Sequence, residues 1–492
     1  MIREKLRAVF SFPVMLGSVL VMWVYLMGGG SVADPDLWWH LRNADYLWTH
    51  GKLPAFDMFS YTTLGHPWIN HEWLAEIPYY LAWRVGGLVG VYVVFMLMLE
   101  VILLGIFYLS CRISGNLKGA FLASCFAVLL AVVGFGPRTI LFGYLYLLIL
   151  IFLLWRFRAE GRAPMWVIPP LFCLWINTHG SWLLGMIVFG IVVVTGLREG
   201  QWGRVEAERW SPQQLKRLLQ TGAASLAALF VNPFSYRLVF YPFDLAFRQK
   251  LNIAHVEEWT SVNFHDARGK VILILLVALL LGALLGRRRW KLPELALALF
   301  ALYCGLTYAR FLFLAAILMT PLLAKLLDFL PPYRPEIDKR VLNALIIAGI
   351  LVCIVLRFPS EDLLKDDVAG KYPVNALAVM KVKGVQGPIF NWYGWGGYIA
   401  WRDPETKTFI DGRADIFEYT GVFKDYLDVI GLKDSLQILD KYGVRTVMFP
   451  PDNPFSYLLK QSPEWKTAYS DKVCLILTKA SPDSAAPPQP AP

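Results

Sequence analysis

Apolar runs long enough to cross a bilayer recur from residue 10 to residue 357, and they constrain the fold more than any other feature of the chain. The hydrocarbon core is about 30 Å thick, so a helix rising about 1.5 Å per residue crosses it in about 20 residues. By that rule the chain holds about eleven spans, at roughly 10–28, 87–110, 119–135, 139–155, 164–178, 182–197, 221–236, 270–286, 293–309, 311–327 and 341–357. Composition agrees: 57% of the residues are hydrophobic and only 17% charged, against about 25% charged in a soluble domain. The fold class expected is a mainly α, multi-pass membrane protein. The first run, Phe10 to Met27, is followed by Gly28-Gly29-Gly30 and an acidic loop, which suits a retained helix better than a cleaved signal peptide.

The net charge of +10 reads as positive-inside bias, not as a nucleic-acid surface. Arg3, Lys5 and Arg7 precede the first span. Alternate loops then carry Arg112 and Lys118; Arg156, Arg158 and Arg162; Arg198, Arg204, Arg209, Lys216 and Arg217; Arg287, Arg288, Arg289 and Lys291; and Arg334, Lys339 and Arg340. The loops between them hold few cations, which places the N-terminus in the cytoplasm. An odd number of spans puts a large first loop, 29–86, and the tail on the opposite, periplasmic face. The domain expectation is a membrane domain at 1–357 that includes this loop, a small α/β domain at 358–480, and a disordered Pro/Ala-rich tail at 481–492. The cysteines lie in or beside apolar runs, apart from Cys474, and form no CxxC pair or disulfide framework.

The first loop is polar and acidic where its surroundings are oily. Asp34-Pro35 suits a helix start, with Asp34 as N-cap and Pro35 at N1. Trp38 and Trp39 follow, as expected at a membrane interface. A second amphipathic helix is expected from near Asn70, carrying Glu72, Trp73 and Glu76. Between later spans, polar groups sit at short outer turns: Gly136-Pro137-Arg138, Asn177-Thr178-His179-Gly180, and Arg310 in Tyr308-Ala309-Arg310-Phe311. In the tail, helices at Val374–Met380, Phe417–Val429 and Lys433–Lys441 alternate with strand-like runs at Pro388–Phe390, Thr408–Ile410, Thr446–Phe449 and Val473–Leu477.

Each candidate side chain has a structural alternative. Asp34 is either a general base or an N-cap. Asp36 suits the helix dipole at N2, yet it shares a face with His40 one turn on, where a metal, a phosphate or an activated hydroxyl fits. His71-Glu72 begins like HExxH, but Ala75 stands where the second histidine must be, so a zinc protease is excluded. These two residues either line a polar cavity or belong to a solvated interfacial helix. Arg310 and Arg138 are natural phosphate partners or snorkelling cations, and an arginine crowded by apolar spans is a site candidate by default. His179 either binds phosphate or shapes a turn. Trp392 and Trp395, set among glycines, are sugar-stacking or core aromatics. Asp411 and Arg413 follow a strand end, where α/β ligands gather, though Asp-Gly is also simply a turn. No P-loop, no GxGxxG in strand–helix context and no GxSxG occurs.

The chain resembles the GT-C superfamily, integral membrane glycosyltransferases that use polyprenyl-phosphate-linked sugars, and within it a group of little-characterised bacterial proteins. The likeness is carried by Asp34–His40 (DPDLWWH), Pro67–Glu76 (PWINHEWLAE), Trp175–Gly180 (WINTHG), Ala309–Phe311 (ARF), Gly396-Gly397-Tyr398 and Phe409–Asp415 (FIDGRAD). It implies a first-loop acid, here Asp36 with Asp34, as base or metal ligand. The WWD-type acceptor motif of oligosaccharyltransferases is similar to Trp392-Tyr393-Gly394-Trp395, but the Asp is missing, which argues against recognition of a peptide sequon.

The expectation is therefore an inverting transferase in the bacterial inner membrane. Asp36 and Asp34 are its catalytic acids. Arg310, Arg138 and His179 bind the donor phosphate. His40, His71, Glu72, Trp392, Trp395, Asp411 and Arg413 line the cavity or the acceptor site. A divalent cation is an open possibility, and the partners are a polyprenyl-phosphate sugar, membrane lipids and an unidentified acceptor, without nucleic acid. The alternatives are a non-catalytic carrier of polyprenyl-linked glycans and a membrane scaffold.

Overall fold

In a computed structural model, residues 8–285, 289–385 and 387–480 are described. The expected disordered tail at 481–492, the N-terminal Arg3, Lys5 and Arg7, and Arg287 and Arg288 lie outside them. The protein is mainly helical and divides into two compact units.

The first unit holds Met1–Ser31, Ile77–Ala246 and Ile253–Ser360. Among its described residues, five helices are long and apolar enough to span a membrane: Trp73–Ser114, Leu117–Gly134, Ile140–Glu160, Ala309–Leu326 and Arg340–Arg357. Phe12–Gly28, Met165–Thr178, Trp182–Thr195 and Leu292–Thr307 are apolar but shorter. The span expected at 221–236 is not a helix of its own. It is the second half of Pro212–Ala228, whose first turns carry Gln213, Gln214, Lys216 and Arg217. That helix cannot run on to 236, because Asn232 folds the chain into a corner: its side chain accepts from the Phe234 N–H at 2.8 Å and donates to the Leu229 carbonyl at 2.7 Å.

Small residues let the central helices approach. Ala120, Ala123, Ala127 and Ala131 are fully buried where Leu117–Ala131 packs on Leu312–Leu326, the pattern by which membrane helices gain van der Waals contact without a hydrophobic drive. A methyl group on Gly119 would lie 2.9 Å from the Ala324 carbonyl oxygen. Phe12–Gly28 is tied to Arg340–Arg357 at one end, where Asp338 accepts from the Phe12 N–H at 3.0 Å and Asn343 donates to the Phe10 carbonyl at 3.1 Å. The long Trp73–Ser114 helix breaks at Gly86 and Gly87, the latter at φ 59°; the second span was expected to begin at this point. A hairpin of Gly200–Trp202 and Val205–Ala207 pairs with Trp290–Lys291, which joins two loops that the charge pattern assigns to one face.

The second unit gathers Val32–Glu76, Phe247–Asn252 and Glu361–Pro492. The expected division kept the first loop with the membrane domain; its packing instead places Val32–Glu76 with the tail. The tail core is a four-stranded sheet in the order Ile389–Asn391, Thr446–Phe449, Leu475–Lys479, Trp465–Ser470, with the first pair parallel and the others antiparallel. Phe390, Phe409, Phe449 and Phe455 fill it and are fully buried. The strand expected at Thr408–Ile410 is a single bridge from Thr408 to Ser60 of the first loop, because Asn391 takes the Phe409 N–H through its side-chain oxygen at 2.8 Å. Around that bridge, Tyr61 N–H donates to the Thr408 carbonyl and Thr408 N–H to the Phe59 carbonyl, each at 3.0 Å.

Arg413 closes the junction. Its guanidinium donates to Asp57 at 2.7 Å and to both oxygens of Asp411 at 2.8 and 2.6 Å. The rings of Phe59 and Trp68 lie 4.6 and 4.8 Å from its central carbon, a cation–π setting. All three charged groups are buried. Burial pushes the Asp57 carboxyl up, but the Arg413 charge and the hydrogen bonds from Ser60, Thr63 and the Phe59 N–H outweigh it and hold the carboxyl below its ordinary range. The stability Asp57 contributes is thus present above its ordinary value and is lost as pH falls through the lower folded value. Replacing Arg413 by Met leaves two carboxylates buried without a counter-charge, which costs about 3–5 kcal/mol. The expected result is loss of the protease-resistant second unit in detergent at neutral pH; wild-type resistance would refute this account of the junction.

Candidate functional site

The helix Pro35–His50 is the base of the site. Asp34 caps it, accepting the Asp36 N–H at 3.0 Å, and is itself buried. Its oxygen thus has the structural task that its sequence position allows. Asp36 is half-buried, and its Oδ1 accepts from the indole N–H of Trp39 at 3.0 Å.

The tail packs directly on this helix through glycines. A methyl group on Gly412 would collide with Asp36 Oδ1 and sit 3.0 Å from the Trp39 indole nitrogen. One on Gly397 would lie 3.1 Å from the Pro35 carbonyl oxygen. The Gly396–Arg402 helix accordingly lies against Pro35–His50. Tyr393 donates its hydroxyl to the Gly412 carbonyl at 3.1 Å. Burial first, then the charges of Asp36, Asp411 and Asp415, raise its pKa well above the ordinary tyrosine value, so Tyr393 stays a neutral donor.

One turn beyond Asp36, His40 is buried between two carboxylates. Its Nδ1 lies 3.0 Å from Glu76 Oε1 and its Nε2 lies 3.4 Å from Glu72 Oε2. Asn43 and Asn70 donate to Glu76 at 3.2 and 2.9 Å, and His71 Nε2 is 3.5 Å from Glu72. The His40 ring lies 3.6 Å from the Trp39 ring, centre to centre. Burial alone would depress the His40 pKa, but the Glu76 hydrogen bond and the charges of Glu72, Glu76 and Asp36 raise it above 6.5. The His40 ring, whose protonated form the neighbouring carboxylates favour, thus lies against the indole that orients Asp36.

This donor set does not suit a divalent cation. His40 already bridges the two carboxylates, and the asparagines hold Glu76. Among the described residues, no three His, Cys, Asp or Glu side chains are arranged to hold a metal ion.

The other proposed site residues are placed as follows. Asp411 and Arg413 are in the buried junction with Asp57. Trp395 is buried, and its indole N–H donates to the Lys371 carbonyl at 2.9 Å, so it is a core aromatic. Trp392 is half-buried, edge-on to Phe449 at 5.1 Å.

Arg138, His179 and Arg310 belong to the first unit. His179 is buried and its Nδ1 accepts the Ser181 N–H at 2.9 Å, which fixes the turn between two helices. That turn packs on the helix following Arg138, since a methyl on Gly143 would meet Ser181 and the Trp175 indole. Arg138 pairs with Glu258. The Arg310 guanidinium stacks over Trp259 at 4.2 Å, and Tyr144 donates to the Arg310 carbonyl at 3.0 Å. Consecutive residues, Glu258 and Trp259, thereby hold the two arginines.

Glu76, Trp39, Tyr393, Gly412, Asp57, Glu258 and Trp259 were not among the site residues chosen from sequence. Glu76 alone had a readable signal: on a helix starting near Asn70, it and Glu72 lie one turn apart, as Asp36 and His40 do on theirs.

The whole architecture is similar to the crystal structure of an oligosaccharyltransferase from Archaeoglobus fulgidus, captured with a disulfide-tethered acceptor peptide containing an NVT sequon. The TM-score is 0.54 at 12% sequence identity, over 96% of this chain and 74% of that one. At that identity the likeness concerns the fold alone: a mainly helical, multi-pass membrane architecture like that of the oligosaccharyltransferase. No protein-family model and no curated protein matches the sequence.

The raised His40 pKa gives a signed pH dependence. A group that binds its proton more tightly when folded contributes stability fully below about 6.5, and that contribution is lost as pH rises through the folded value. The melting temperature of the wild type should therefore fall over this interval more steeply than that of His40→Gln. Parallel curves would mean that the cluster carries no such charge.

Proposed function

We propose that this protein is an inverting membrane glycosyltransferase that moves a sugar from a polyprenyl-phosphate-linked donor to an acceptor hydroxyl. Asp36 is the general base. The acceptor oxygen attacks C1 of the sugar as Asp36 takes its proton, and the C1–O bond to the phosphate breaks with its electron pair passing to the phosphate. The anomeric configuration inverts because attack and departure occur on opposite faces. Arg310 and Arg138 bind the phosphate and stabilise the charge it gains in the transition state. Asp34 and His179 hold backbone. His40, Glu72 and His71 set the charge and shape around Trp39, and Trp392 is the half-buried aromatic left to meet a sugar. The site faces the periplasm, with the N-terminus in the cytoplasm of a bacterium.

The observation that carries this reading is the setting of Asp36. A half-exposed carboxylate is aimed by an indole N–H, backed by a glycine that has no room for a methyl group, and set at a helix N-terminus in an oligosaccharyltransferase-like fold. A lipid-linked donor also accounts for the lack of any nucleotide-phosphate motif.

Asp36→Asn keeps the size of the side chain and removes the base. It should lower release of polyprenyl phosphate from polyprenyl-phosphate sugars about 10²–10⁴-fold with donor affinity retained. Equal donor binding by wild type and variant, with no turnover by either across a donor and acceptor panel, would replace the transferase by a carrier.

A further inference from the structure

The arginines assigned to the donor phosphate already have an anionic partner. Glu258 pairs with Arg138, and its neighbour Trp259 covers one face of the Arg310 guanidinium. The segment bearing both is fastened to the end of the Leu292–Thr307 helix. Ala309 N–H donates to the Thr260 carbonyl at 2.9 Å, and Val262 N–H donates to the Leu306 carbonyl at 3.2 Å. Trp259 stands edge-on to Tyr308 at 5.5 Å and to Phe311 at 5.9 Å.

The two arginines are held in different ways. Arg310 is fixed through its face and its backbone, and stacking leaves the edge of a guanidinium, where all its N–H donors lie, for a ligand. Its Nε is buried and has no hydrogen-bond partner among the described residues. Arg138 is neutralised by a carboxylate that is 30% exposed, so solvent reaches and partly screens the pair. With Glu258 in place the three side chains carry one net positive charge; with Glu258 withdrawn they carry two.

From this we infer that Glu258 is a stand-in for the phosphate headgroup: it pairs with Arg138 and is displaced when a phosphate monoester binds. The inference rests on the phosphate role given to Arg138 and Arg310 above and adds a competing residue to it. A phosphate monoester carries about −1.5 to −2 at neutral pH, so it matches the doubly positive site. A sulfate monoester, with one charge, gains less from displacing a carboxylate.

The test is direct binding in detergent, with dodecyl phosphate as probe and dodecyl sulfate as comparison. Glu258→Gln should tighten dodecyl phosphate binding at least threefold and dodecyl sulfate binding less. In an Arg138→Gln background the same change should have no effect, the mark of coupling between the two residues. Should the Gln variant not fold, Glu258→Asp, with a carboxylate one methylene short of Arg138, should tighten binding in the same direction. Unchanged or weaker phosphate binding by the folded variant, with wild-type binding still dependent on Arg138 and Arg310, overturns the inference and leaves the phosphate site standing. Failure of wild type and variant alike to bind dodecyl phosphate overturns both.

Discussion

Arg413 holds together two parts of the chain separated by 356 positions. Beside it, backbone hydrogen bonds, a single bridge, the Thr62 hydroxyl donating to the Phe409 carbonyl at 2.6 Å and the packing of the Gly396–Arg402 helix on Pro35–His50 join the first loop to the tail. A buried arginine between two aspartates is not in itself a large source of stability, since desolvation of three charges opposes their attraction. Its effect is on specificity. Asp57 and Asp411 can be buried together as carboxylates because the Arg413 guanidinium lies between them, with the Phe59 and Trp68 rings beside it. The register of loop on tail is therefore set by charge, and the neighbouring Gly412 is brought against Asp36 as a result. The carboxylate proposed as base depends on the tail for its setting, although it lies hundreds of residues away in sequence.

Much of the membrane unit was legible because span length is fixed by bilayer thickness and by little else. The break at Gly86-Gly87 and the N-cap at Asp34 were legible for a similarly local reason: each is decided by residues within one turn. The span at 221–236 misled because it was judged by hydropathy, whereas the corner at Asn232 is made by side-chain hydrogen bonds that hydropathy does not record. The strand at Thr408–Ile410 misled in the same way, since its β-rich residues find their partners in Asn391 and in the first loop.

The site was legible as residue types and not as an arrangement. Asp36 and His40 could be placed on one helical face, but their partners could not. Glu76, Tyr393 and Gly412 come from segments whose proximity is a property of the whole fold. Parity of the spans put the first loop and the tail on one face; it gave no sign that they form one compact unit. The setting of Asp411 and Arg413 stayed open between two readings because an Asp-Gly-Arg sequence at a strand end looks the same whether it faces a ligand or closes a buried junction. Only the partner, Asp57, tells the two apart.

The His40 cluster shows how the second unit can bury so much charge near a half-exposed acid. Glu72 and Glu76 repel each other, and burial makes that repulsion stronger. His40 lies between them, and its protonation, which the two carboxylates favour, offsets that repulsion; Asn43 and Asn70 add amide donors to Glu76. The His40 ring also lies 3.6 Å from the Trp39 ring, centre to centre, so the same histidine is packed on the indole that donates to Asp36. Three features of Asp36 then follow from its neighbours. Its direction comes from Trp39, its closeness to the tail from Gly412, and its surrounding charge from His40. This local control supports the base role proposed for Asp36, and capping does not explain it, since Asp34 already caps the helix by accepting the Asp36 N–H.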